Sequence, residues 1–100
     1  MTEDGEELVR CTAVFAGTVQ GVGFRATTRR VAGAFAVAGW VRNEPDGTVR
    51  CVAEGAREEV DRFLAAVRAA MSPLVRDMRV DRSPATGAFT GFEVRHEQPR

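Results

Sequence analysis

The chain has 100 residues, 44% hydrophobic and 28% charged, which suits one compact domain with a modest core and leaves no room for a second. Its 14 basic residues balance 14 acidic ones, so nothing marks the chain as a whole for nucleic acid or an acidic membrane, and any anion binding has to be local. Two distant cysteines and a single histidine are too few for a tetrahedral zinc site, so no metal and no cofactor is expected.

No apolar run approaches the roughly 20 residues of a membrane span. The opening stretch MTEDGEEL is acidic, unlike a basic region followed by an apolar one. A soluble, unexported, cytoplasmic protein is the expectation. Residues 1–8 read as a flexible tail, residues 9–96 as the domain and residues 97–100 as a second tail.

Apolar and β-favouring residues from Leu8 to Ala16 predict a first strand that ends at Gly17. Three glycines in the seven residues from Gly17 to Gly23 mark a loop, and Phe24, Thr28, Val31 and Phe35 then share one face of a helix. The run Val37 to Asn43 predicts a second strand, Glu44-Pro45-Asp46-Gly47 a turn, and Thr48 to Glu54 a third strand closing a hairpin.

After Gly55, the positions Val60, Phe63, Leu64, Val67 and Met71 form an apolar stripe of helical period. Ser72-Pro73 ends that helix, Leu74 to Arg82 offers a fourth strand of weaker alternation, and Phe92 to His96 a short fifth. The order βαββαβ predicts the α+β ferredoxin-like two-layer sandwich, an antiparallel sheet with two helices on one face.

The loop Gly17-Thr18-Val19-Gln20-Gly21-Val22-Gly23, continuing into Phe24 and Arg25, carries the chemistry. Backbone N–H groups in such a strand-to-helix loop, with the positive end of a helix dipole, make an anion cradle. Arg25 falls in the first helical turn, where the macrodipole disfavours a cation by a few tenths of a kcal/mol, and a bound dianion reverses that penalty. Its planar fork grips two phosphate oxygens at once. By itself the same loop also reads as a tight turn with Arg25 solvated, and Asn43 as a residue capping a turn. A right-handed βαβ crossover makes the first two strands parallel, which brings the loop and Asn43 to one edge of the sheet.

VQGVGFR, then GWVRN, then Asp-Gly at this spacing resembles the acylphosphatase family over about residues 9 to 96. Gly17 to Arg25 is similar to that family's phosphate-binding signature, and Gly39-Trp40-Val41-Arg42-Asn43 to its second signature. The resemblance implies hydrolysis of small-molecule acyl phosphates, with residues Gly17 to Phe24 binding substrate, chiefly through the amides of Gln20 to Phe24. It also implies that Arg25 grips the phosphoryl group and that Asn43 holds the attacking water. A phosphate or sulfate ion suits the loop, and a monomer is expected. Acetyl phosphate, carbamoyl phosphate and 1,3-bisphosphoglycerate all fit as substrates.

Other readings are weaker. Gly21 to Ala26 matches the dinucleotide fingerprint, with Glu44 and Asp46 roughly where a ribose-binding acid would lie, but further βαβ units are lacking. The P-loop pattern lacks its Lys. An RNA-recognition domain stacks bases on aromatic residues of its central strands, whereas Thr12, Val14, Thr48, Arg50 and Val52 are expected to face outward here. A partner-binding domain of the same fold, and a domain resembling the front part of hydrogenase maturation proteins, are the remaining rivals.

Five residues carry secondary expectations. Cys11 and Cys51 share an inward parity on neighbouring strands, so a disulfide is geometrically conceivable, while reduced buried thiols suit a cytosolic chain better; His96 reads as structural or solvated, away from the loop. Ala36 stands where relatives usually carry a helix-ending glycine, at a strain of about 1 kcal/mol if it keeps the left-handed conformation. Asp77 leaves the register of the fourth strand open.

Overall fold

A computed structural model of the chain describes residues 7–96. The elements in chain order are β1 (Leu8–Gly17), α1 (Phe24–Ala32), β2 (Val37–Asn43), β3 (Val49–Ala56), α2 (Arg57–Ala70), β4 (Val75–Pro84) and β5 (Phe92–Arg95). Residues 1–6 and 97–100 of the expected tails lie outside the described residues, while Leu8 opens β1 opposite Ala56 of β3.

The five strands form one sheet in the order β4-β1-β3-β2-β5. β1 pairs antiparallel with both β3 and β4, and β2 pairs antiparallel with β3, so β1 and β2 are parallel with β3 between them. The expected antiparallel sheet of the βαββαβ sandwich is present, with β5 added at one edge parallel to β2. β4 runs antiparallel to β1, and the chain reverses direction after β4 as it reaches the far edge, so β5 runs in the direction of β1 and β2.

Alternation decides which face of each strand is covered. Cys11, Ala13 and Phe15 of β1, Val49 and Cys51 of β3 and Val41 of β2 are fully buried beneath the helices. α2 adds Val60, Phe63, Leu64 and Val67 from one stripe, and each such burial removes apolar area worth about 1.5–3 kcal/mol for a large side chain. Phe63 stacks edge-on with Phe35 and Phe92.

The β4 register, open from the sequence, is set by an irregularity. Met78 lies opposite Phe15 and Val80 opposite Ala13, but the pairing shifts between Ala16 and Gly17 so that Gly17 meets Val75. The inward residues Val75, Met78 and Val80 are therefore unevenly spaced, because a bulge inserts an extra residue on one strand. Asp77 falls on the exposed side of this strand.

The opposite face of the sheet is partly covered by residues 85–91. Glu54, only 7% exposed, accepts hydrogen bonds from the Thr86 and Gly87 N–H groups and the Thr86 hydroxyl. It also pairs with Arg10 at 2.8 Å. Among the described residues no helix is long and apolar enough to cross a membrane.

Candidate active site

The loop after β1 takes its shape from two glycines and one buried ring. Gly21 and Gly23 both have φ of 79°, a left-handed conformation that an L side chain adopts only at a steric cost. Gly23 is also the N-cap of α1. Phe24 then packs on Phe15 with ring centroids 5.0 Å apart, which seats the start of α1 over the end of β1. Thr28 and Ala32, one and two turns on, continue the buried face, and the Thr28 hydroxyl donates to the Phe24 carbonyl.

With Phe24 turned inward, Arg25 is directed away from the core. Among the described residues its guanidinium has no carboxylate partner; Nη1 makes long contacts to the Arg95 carbonyl oxygen at 3.4 Å and His96 Nδ1 at 3.3 Å. The backbone N–H groups of Gln20 to Gly23 have no acceptor among the described residues, and the first N–H groups of α1 lack intrahelical acceptors by construction. These amides, the positive end of α1 and one unneutralised guanidinium share a small region, a combination suited to an anion.

Asn43 comes to the same place by register. It lies opposite Val49 on β3, and Val49 lies opposite Phe15 on β1, so Asn43 ends its strand level with the start of the loop. Asn43, Arg25, Phe24, Gly23, Gly21 and Val19 line one cavity of about 600 Å³, within the range of small-molecule sites.

The other loop residues do different work. The Thr18 N–H donates to the Leu74 carbonyl oxygen at 3.0 Å, so this amide is engaged in joining the loop to the start of β4. Gly17 is paired with Val75 inside the sheet. Val22 is exposed at the loop surface, and the Gln20 side chain reaches to the β2–β3 turn. None of these four lines the cavity.

The acylphosphatase family model matches residues 11–94 of this chain. The chain is 42% identical over 93 residues to the acylphosphatase of Aeropyrum pernix, covering 91% of this chain and 92% of that protein. It is 47% identical over 87 residues to the acylphosphatase of Salinibacter ruber, covering 86% and 92% respectively. The chain belongs to the acylphosphatase family. The crystal structure of acylphosphatase from Bacillus subtilis superposes with a TM-score of 0.78 at 34% identity, covering 86% of this chain and 97% of that one. As a member of that family the protein is a hydrolase.

Against this family background two expectations change. His96, expected away from the loop, lines the cavity and contacts Arg25. Because β5 runs parallel to β2 with Arg95 opposite Arg42, the next residue leaves the sheet at the level of Asn43. Ala36 is not left-handed, since no residue other than glycine has positive φ among the described residues. α1 instead ends at Ala32, and Ala34 and Phe35 continue it with turn hydrogen bonds to Val31 and Ala32.

Arg29, Arg30 and Val94 also line the cavity and were not singled out from sequence. The four-residue spacing from Arg25 to Arg29 was the one signal that could have found the first of them. On the far face of the sheet, Trp40 is 9% exposed, and the guanidiniums of Arg42 and Arg95 lie 4.6 and 5.1 Å from its ring. Its ring is thus already occupied. Among the described residues no three His, Cys, Asp or Glu side chains come together as a metal-binding group.

Proposed function

We propose that the protein hydrolyses the carboxyl-phosphate bond of small acyl phosphates, with Arg25 and the amides of Gln20 to Phe24 holding the phosphoryl group and Asn43 orienting the attacking water. The single observation that carries these roles is the convergence of Arg25, the glycine loop and Asn43 on one cavity.

Water attacks phosphorus, the bond from phosphorus to the acyl oxygen breaks, and its electron pair leaves on the carboxylate. The water protons remain with phosphate, so an acyl phosphate dianion and water become a carboxylate and dihydrogen phosphate. A carboxylate is a weakly basic leaving group and needs little protonation, so the reaction asks mainly for positioning and charge stabilisation. A guanidinium and loop amides meet that need without a metal. Cytoplasmic placement is supported by the two buried free thiols, which persist in reducing compartments.

The test is hydrolysis of benzoyl phosphate by the purified chain in the presence of a chelator, beside folded Arg25→Ala and Asn43→Ala variants. Each variant is expected to lose at least about a hundredfold in rate, the usual effect of removing one preorganised donor. Near-normal turnover by either variant defeats the assignment of that residue.

A further inference from the structure

The cavity beside Arg25 holds more positive charge than one phosphoryl group accounts for. Arg29 and Arg30, from the last turn of α1, line it together with Arg25, while no Asp or Glu does. This concentration stands out in a chain whose formal net charge is zero. Elsewhere Arg42, Arg57 and Arg82 are paired with carboxylates, but Arg29 and Arg30 have no such partner among the described residues.

Favourable interaction with the negative end of the helix accounts for cations in a last turn, but not for their standing over the cavity. Arg29 lies one turn beyond Arg25 on the same side of α1, about 6 Å along the axis. Ala26 and Gly33, which line the same space, have little or no side chain, so a ligand can run along the helix between the arginines. Val19 and Val94 supply apolar wall for methylene groups.

We propose that Arg29 and Arg30 are specificity residues that receive a second anion carried on the acyl group, so that the favoured substrates are acyl phosphates bearing a terminal carboxylate or phosphate. This rests on the phosphoryl group occupying the loop beside Arg25. The acyl chain then extends along α1, and its far anion meets two guanidiniums otherwise without a counter-charge.

The experiment compares kcat/KM for succinyl phosphate and butyryl phosphate, which share a chain length and differ in the terminal carboxylate. It uses the full chain, Arg29→Ala/Arg30→Ala, Arg29→Gln/Arg30→Gln, and Arg68→Ala as a distant exposed control on α2. The wild type is expected to favour succinyl phosphate about tenfold, as two partly exposed charge pairs allow, and both double variants to bring that ratio within about twofold. Arg68→Ala is expected to keep the wild-type ratio. A wild-type ratio near one, an unchanged ratio in the folded double variants, or an equal fall in Arg68→Ala overturns the proposal. Failure of the wild type to hydrolyse either compound overturns the parent function as well, which separates the two failures.

Discussion

Gln20 in the anion loop is bonded to Glu44, the residue that follows Asn43: its Nε2 donates to the Glu44 carbonyl oxygen at 2.8 Å. The same amide donates to the Thr48 carbonyl oxygen at 2.9 Å. Residues 24 and 28 positions apart in the chain are thereby tied, and this one side chain adds a direct link between the loop and the turn after Asn43 to the strand register that already levels them.

Replacing Gln20 with Ala removes both bonds while leaving the core intact. Each neutral hydrogen bond contributes about 1 kcal/mol, so the stability loss is small. The effect on catalysis is expected to be larger, about tenfold or more in kcat/KM for benzoyl phosphate, because displacement of a positioned group by a fraction of an ångström weakens the reacting geometry. Steady-state kinetics beside a thermal melt check this.

Gly23→Ala separates conformation from space. A Cβ there meets nothing within 4 Å, yet φ of 79° makes an alanine strained by about 1–2 kcal/mol. The variant is expected to lose that much stability in urea unfolding and, since relieving the strain turns amides out of the cradle, to lose at least about tenfold in activity.

Glu54 gives the fold a pH dependence. Desolvation pushes its carboxyl upward, but the hydrogen bonds from Arg10, Thr86 and Gly87 together outweigh it and hold it at about 2, below the ordinary 4.5. A carboxyl lowered in the folded state adds stability above its unfolded value and loses it on acidification, here between about pH 4.5 and 2. Glu54→Gln is expected to melt lower at pH 7, by an amount on the order of 2 kcal/mol. Its thermal midpoint is expected to fall less than that of the wild type from pH 5 to pH 2.

Cys11 and Cys51 are expected to be inert in the folded protein. Both are fully buried. Burial pushes each thiol up, partly countered at Cys11 by Arg82 and reinforced at Cys51 by Cys11. Since the thiolate is the reactive form, iodoacetamide at pH 8 is expected to leave both unmodified in buffer and to alkylate both in denaturant, as mass spectrometry reads directly.

The legible parts of this molecule were those set by near neighbours in the chain. The stripe from Val60 to Met71 announced α2, and alternation with Asp46-Gly47 announced the β2–β3 hairpin. The weakest part was β4, where a bulge opposite Gly17 breaks the period of two and so hides Val75, Met78 and Val80 as one inward set. The end of α1 was misjudged because Phe35 extends the apolar pattern beyond the helical hydrogen bonds.

The sequence by itself determined the order of elements, the anion loop with Arg25 at the head of a helix, and the strand that delivers Asn43, since propensity and periodicity act over a few residues. Only the tertiary structure decided that His96, 71 residues from Arg25, closes the cavity, and that Glu54 pins residues 85–91 across the sheet. It also decided that Arg29 and Arg30 overlook the site. These are contacts between distant segments, chosen by strand register and by which helix face is buried, and no local pattern encodes them.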